Sequence, residues 1–173
     1  MISAKIDILI LLQFILYHLL WIVSAYAIPR QKNRLLYSTS IVLIVMQLIV
    51  AAIDQPNPSG FAISVIVLTA VGIGIDTIFI RAGWFQFNPR PPYIIPFWLC
   101  LIWLSFALSM QYLVLFVPGK FYVWAILGAI GFPLSYYVAQ KLKVLKVSRP
   151  WPVYGYHGLF WLIFLPMILL INH

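Results

Sequence analysis

The sequence predicts an all-α integral membrane protein, a bundle of six transmembrane helices with short loops, and three observations predict it. Hydrophobic residues make up 64% of the chain and charged ones 8%, with a mean hydropathy of +1.03. A soluble surface needs about a quarter charged residues. Apolar runs of about 20 residues, the length a helix needs to cross hydrocarbon, recur along the chain. Lys and Arg gather at alternate connections, as they do where charge orients membrane helices. At 173 residues there is no room for a separate soluble domain, so residues 1–173 are read as one polytopic membrane domain.

The first helix is expected over about 8–28. Ala25-Tyr26-Ala27 resembles a signal-peptide cleavage site and Lys5 a weak charged start. Yet Asp7 offsets Lys5, and Arg30, Lys32 and Arg34 follow the run, which favours a retained span with its beginning outside. The second helix is expected over 35–53. Pro56, Pro58 and Gly60 then interrupt the chain, and Ser59 is the expected cap of the third helix, over 61–80. Gly72 and Gly74 near its middle allow a neighbouring backbone to come close. A loop over 81–95 carries Pro89, Pro91 and Pro92, and Pro96 suits the first turn of the fourth helix, over 96–117. Pro118-Gly119 has the residues of a type II turn, which sets the fifth helix, over 121–140, antiparallel to the fourth. Ala125, Gly128, Ala129 and Gly131 keep one stretch of the fifth helix small, and Pro133 is expected to kink it. The sixth helix, over 153–171, contains Pro166.

Three Lys or Arg fall at 30–34, two at 81–90 and four at 141–149, against Lys5 and Lys120 on the other side. That bias predicts an inner-membrane topology with both termini periplasmic and the longer loops cytoplasmic. The net charge of +8 is read the same way, as orientation and contact with lipid phosphates, and no nucleic-acid partner is expected. Cys100 stands alone, which excludes an intramolecular disulfide or a cysteine zinc site. No internal repeat is expected. Arg90-Pro91-Pro92-Tyr93 with Phe97-Trp98-Leu99 resembles Arg149-Pro150-Trp151-Pro152 with Phe160-Trp161-Leu162, but the spacings differ, and two helices entering one interface explain it.

The order Trp21, then Gly72, Asp76, Gly83 and Phe87, then Pro91-Pro92 before Pro96-Phe97-Trp98-Leu99, Trp103 and Phe106, then Gly128 and Gly131-Phe132-Pro133-Leu134-Ser135-Tyr136-Tyr137, resembles a family of small bacterial inner-membrane proteins classed as a domain of unknown function. The resemblance covers nearly the whole chain and is most specific from Asp76 to Trp103. It implies a bacterial inner-membrane location, no assigned activity, and an association with genes for fatty-acyl and phospholipid modification. It implies no catalytic residue.

The residues themselves point to the stretch from Gly72 to Trp103. Asp76 lies four or five residues before the end of its helix, about 7 Å deep, where an acid needs a partner or a polar cavity. His157 lies at a similar depth on the sixth helix. With them as candidate catalytic groups, a pocket lined by Tyr136, Tyr137, Tyr154, Trp98 and Trp103 would open toward the cytoplasmic headgroups. Arg81, Arg90 and Arg149 would form an anion-holding rim. The competing reading makes Asp76 a group that only pairs helices.

His18, mid-helix, is expected to hydrogen-bond another helix, and the differing depths of His18 and His157 disfavour a haem. No clustered His or acidic residues supply a metal site, and no cofactor is expected. Gln13, Gln47, Gln111, Ser105 and Ser109 are read as interhelical hydrogen-bonding groups. The sequence leaves open whether the protein is an enzyme. The first function class is binding, or helping to modify, a lipid or acyl substrate in the cytoplasmic leaflet. The alternatives are a small transporter or exporter, suggested by Pro133, Pro166 and Asp76, and a non-catalytic membrane assembly protein. Expected partners are membrane lipids and a second copy or another membrane protein.

Overall fold

A computed structural model describes residues 2–54, 57–87, 95–116 and 120–170. Arg90, the Pro91-Pro92 pair, the Pro118-Gly119 turn and His173 lie outside the described residues. Within them the chain runs α1 (Ile2–Ala27), α2 (Asn33–Asp54), α3 (Pro58–Arg81), β1 (Phe85–Phe87), α4 (Phe97–Phe116), α5 (Phe121–Lys141), β2 (Leu145–Val147) and α6 (Pro150–Leu170). The helices fall within three residues of the expected positions, except that α1 starts six residues earlier. Five of them, α1 to α5, are long and apolar enough to cross a bilayer. The first half of α6 is less apolar, because Pro152, Tyr154, Gly155, Tyr156 and His157 interrupt its hydrophobic residues.

The surface is apolar and the buried polar groups are inside, the inverse of a soluble protein. Ile8, Leu11, Ile41, Ile49, Ile66, Ile78, Ile130 and Leu159 face outward, whereas Gln13, Gln47, Asp76, Ser105, Ser109 and His157 are fully buried. In lipid there is no water to satisfy polar groups, so they turn inward and pair. Gln47 on α2 shows it. Its amide donates to the Ser105 carbonyl at 3.2 Å and the Ser109 hydroxyl at 2.9 Å, while Ser105 Oγ donates to Gln47 Oε1 at 2.7 Å. Gln13 donates to the Gln47 carbonyl at 3.1 Å, and Ser109 Oγ to the Gln13 carbonyl at 2.8 Å. One network thus locks α1, α2 and α4, as expected of these glutamines and serines. Gln111 bonds the Ala107 carbonyl of its own helix at 3.5 Å.

Helix ends follow local chemistry. Asn57, not the expected Ser59, caps α3: its Oδ1 accepts from the Gly60 amide at 3.1 Å, and the Ser59 hydroxyl donates to that same oxygen at 3.0 Å. Asn outranks Ser here because Pro58 takes the first helical position, which leaves residue 57 as the cap. The Pro96 carbonyl accepts from Leu99 and Cys100, so Pro96 sits just ahead of α4 rather than within it. Pro133 and Pro166 lie inside helices that continue through them.

Two three-residue strands, not expected from the sequence, join the ends of α3 and α5. Both helices close with the same bonds sixty residues apart. Gly83 N donates to Ile80 O and Trp84 N to Phe79 O; Lys143 N donates to Gln140 O and Val144 N to Ala139 O. This is the Schellman closure, with a left-handed residue at Gly83 (φ 71°) or Lys143 (φ 61°). The strands that follow pair antiparallel with Phe85 opposite Val147, Gln86 opposite Lys146 and Phe87 opposite Leu145. The register is symmetric about Gln86 and Lys146, so the two helix-turn-strand units are related by a local two-fold. Sequence comparison missed this repeat because it matched the proline-rich helix starts, whereas the repeat lies in the helix ends. Phe85, Phe87, Leu145 and Val147 turn their side chains into the bundle, and Gln86 and Lys146 turn outward.

Candidate functional site at Asp76

Asp76 on α3 is the point on which α4, α5 and α6 converge. Its Oδ2 accepts from Trp103 Nε1 on α4 at 2.6 Å and from the Tyr136 hydroxyl on α5 at 2.5 Å. Its Oδ1 faces His157 Nε2 on α6 at 3.8 Å, ion-pair range but too long for a hydrogen bond. All four side chains are buried, and Asp76 and His157 have no exposed surface. The sequence placed Asp76 and His157 at one depth; the structure brings them together. It also makes Trp103 and Tyr136, expected as pocket lining, direct ligands of the carboxylate. An acid in the membrane interior is tolerable only with such donors.

Each ligand is positioned by a local device. Gly72 lies one turn before Asp76, and a Cβ there would stand 2.3 Å from the Trp103 indole. The missing side chain therefore lets the indole lie across α3 and reach the acid. Gly74 has nothing within 4 Å of its Cβ position and plays no such part. Trp103 stacks on Trp161 at 5.2 Å and on Phe132 at 5.5 Å, which fixes its plane. Tyr136 stacks on Phe85 of β1 at 4.6 Å, so the ribbon holds the phenol. The α5–α6 pair is drawn close by glycines: a Cβ at Gly128 would meet the Trp161 carbonyl at 2.6 Å, and one at Gly158 the Ala129 carbonyl at 2.7 Å. Trp161, one turn after His157, donates to His157 Nε2 at 3.4 Å. Sequence reasoning missed Trp161 and Phe132 as members; the i, i+4 spacing from His157 was the available signal for Trp161.

Two atoms of this centre lack hydrogen-bond partners, Asp76 Oδ1 and His157 Nδ1. Buried polar atoms are nearly always paired, so orphans beside a carboxylate and an imidazole mark a place where a proton or a small polar ligand can be held. Among the described residues no third His, Cys, Asp or Glu joins the two to form a metal-sized group.

Of the remaining expected residues, Trp98 shares a cavity wall with Trp103 and Tyr136, and the others lie elsewhere. Tyr137 is exposed, beside Lys141, and meets Tyr154 edge-on at 6.3 Å; Tyr154 donates to Gln140 Oε1 at 2.6 Å. Both stand on the outer side of α5 and α6, away from Asp76. Trp98 is half-buried against Phe87. Arg81 and Arg149 are exposed at the same end of the bundle, and no ion pair among the described residues joins either to Asp76. His18 bonds the Phe14 carbonyl of its own helix at 2.8 Å, not another helix as expected. The one-turn return is available because the ring packs against Phe14 at 3.9 Å.

A cleft runs between α1 and α5, floored by α4. Its wide part, about 540 Å³, is lined by Phe14, His18, Met110, Trp124, Leu127 and Gly131 among others. A narrower cavity of about 60 Å³ continues it toward the ribbon, between Trp21, Ser24, Trp98, Trp103, Tyr136 and Leu145. Tyr17, Trp21, Phe106, Phe132 and Ser135 line both. The walls are almost wholly apolar, and the cavity ends on the two side chains that bind Asp76. Asp76 and His157 themselves do not line it: they are sealed behind Trp103 and Tyr136.

The sequence matches the family described as "Protein of unknown function (DUF2878)" over residues 10–167, from within α1 to within α6, and the chain belongs to that family. No curated protein and no solved structure matches it.

Proposed function

We propose that this DUF2878 member is a bacterial inner-membrane protein that holds a lipid or acyl chain in the α1–α5 cleft and brings its polar end to the Asp76 centre in the cytoplasmic leaflet. The observation that carries this reading is the path of the cleft, from the apolar outer surface to Tyr136 and Trp103. From Trp124 to Ala139 along α5 it extends roughly 22 Å at 1.5 Å per residue, a depth suited to a chain rather than a small solute. Apolar walls with a few convergent polar groups at one end are the usual form of such a site. Tyr136 is the only one of the four central groups with a hydroxyl at the cavity wall. Any acid–base step on the bound molecule runs through that hydroxyl, with Asp76 taking or returning its proton and His157 supporting the carboxylate.

In this reading α6 is the sixth span, both termini are periplasmic, and Arg81, Arg90 and Arg149 give the cytoplasmic interface its positive charge. Cysteines placed at Asn33 and Ser148 are expected to react only with reagent on the cytoplasmic side, and one at Asn57 only from the periplasm. Labelling of Ser148 from outside would reverse the orientation.

The binding itself is tested by mass spectrometry of lipid that copurifies with the protein. Gly131 faces the cleft with nothing within 4 Å of its Cβ position, so Gly131→Leu fills the cleft without a backbone clash. The expected result is a severalfold fall in bound lipid at unchanged thermal stability. An unchanged lipid complement in Gly131→Leu would remove the cleft as the binding site.

A further inference from the structure

The outer face of the β1–β2 ribbon carries a second cavity, about 340 Å³, lined by Gln86, Gln140, Lys143, Leu145 and Lys146. Gln86 and Lys146 reach it from the outer face of the ribbon, alternating with the inward Phe85, Phe87 and Val147, while Leu145 borders both this cavity and the narrow end of the cleft. We infer that this cavity is a binding site for a phosphate-bearing anion, held by Lys143 and Lys146 and by the side-chain amides of Gln86 and Gln140.

The charge there is one-sided. Lys141, Lys143, Lys146, Arg149, Arg81, Arg30, Lys32 and Arg34 stand at this end of the bundle, where α1, α3 and α5 finish. Asp7 and Asp54 belong to the other end, and Asp76 is buried within. No acid among the described residues competes for the two lysines. The amides are also oriented. The Tyr154 hydroxyl donates to Gln140 Oε1 at 2.6 Å, which occupies the carbonyl side and leaves the NH₂ group as the free end. Gln86 Nε2 spends at most one hydrogen, in a 3.4 Å bond to the Gly83 carbonyl. Ammonium and amide donors without acceptors suit an oxyanion.

The backbone gives an independent pointer. At Gly83, the two-fold equivalent of Lys143, the left-handed turn is made by the residue type for which it carries no penalty. On α5 the same turn is made by a lysine at φ 61°, a conformation an L side chain adopts at a conformational cost. Glycine would make this turn without that cost, and the chain places a lysine there, at the wall of the cavity.

This site does not depend on the cleft being occupied. Its test is calorimetric titration of the full chain in non-ionic detergent with dihexanoyl phosphatidic acid and, separately, with inorganic phosphate. Saturable binding of either is expected, weakened at least tenfold in Lys143→Gly and in Lys146→Gln and changed less than twofold in Arg34→Gln, which removes an exposed charge from the same end of the bundle. Binding of phosphatidate alone assigns a lipid headgroup as the source, and equal binding of both assigns the phosphate itself. Lys143→Gly is expected to melt no lower than the parent, because glycine suits the turn, so its loss of binding is not a loss of fold. Binding of neither probe, binding that survives both lysine variants, or an equal loss in Arg34→Gln would overturn the assignment.

Discussion

Among the described residues two polar clusters are buried in the bundle, and α4 contributes to both. Around Gln47, neutral amides and hydroxyls exchange five bonds among α1, α2 and α4, and Gln13 Oε1 is left over. Around Asp76, two donors converge on one carboxylate oxygen while the other oxygen and the imidazole Nδ1 stand without hydrogen bonds. The first cluster is built of groups that do not change charge, and none of Gln13, Gln47, Ser105 and Ser109 lines the cleft. The second contains an acid, an imidazole and a phenol and abuts the narrow end of a cleft. Polar groups in a membrane bundle thus divide into those that fasten helices and those that are kept reactive, and what separates them is titratable chemistry and access.

The sharpest way to break that contrast is to remove each centre. Asp76→Leu leaves the Trp103 indole N–H and the Tyr136 hydroxyl without an acceptor in a dry interior, a loss of about 2–4 kcal/mol, and bound lipid should fall with it. Gln47→Leu strands serine groups of α4 and should cost about 1–3 kcal/mol while lipid content per folded molecule stays at the parent level. Thermal unfolding in detergent and lipid mass spectrometry on the same samples read both. Equal lipid loss in the two variants would erase the distinction.

The next effect in size is steric. Gly72→Ala puts a methyl into the Trp103 ring and should cost about 1–3 kcal/mol as the indole shifts off Asp76. Gly74→Ala, two residues along the same helix, meets nothing and should be neutral or slightly stabilising. Melting temperature and tryptophan emission compare them; a neutral Gly72→Ala would mean that the indole has another route to the acid.

The helices were readable in the sequence because apolar runs of spanning length are bounded by Pro, Gly and basic residues, and each of those signals is local. Asp76 and His157 were readable as a depth match for the same reason. What was not readable depends on which helices touch. Gly72 signals a close approach, but only the fold says that the approaching group is the Trp103 ring and that the ring bonds Asp76. Tyr136 and Tyr137 are indistinguishable in sequence, and the rotation of α5 puts one on the carboxylate and the other on the surface. The strands escaped because three residues with a period of two, Phe85-Gln86-Phe87 and Leu145-Lys146-Val147, are too short to register as strands. They gain their stability only from each other and from the aromatic floor beneath them.

The smallest expected effect is also the most discriminating, because it asks whether His157 belongs to the reactive centre or only lies beside it. In Asp76→Asn one amide oxygen can still accept from both Trp103 and Tyr136, since both already converge on Oδ2, and the NH₂ replaces Oδ1 opposite His157. The fold should therefore survive with a loss of about 1 kcal/mol or less, while any function that needs a carboxylate fails. His157→Gln keeps a hydrogen-bonding group near Trp161 and removes the imidazole. If the 3.8 Å contact between Asp76 and His157 is an energetic one, the double variant should be less damaged than the sum of the singles by about 0.5–1.5 kcal/mol in detergent unfolding. Its lipid phenotype should equal that of Asp76→Asn alone, because the second loss falls on a centre already disabled. Strictly additive stability and lipid effects would take His157 out of the centre and leave the acid with its two neutral donors, an arrangement closer in kind to the Gln47 network.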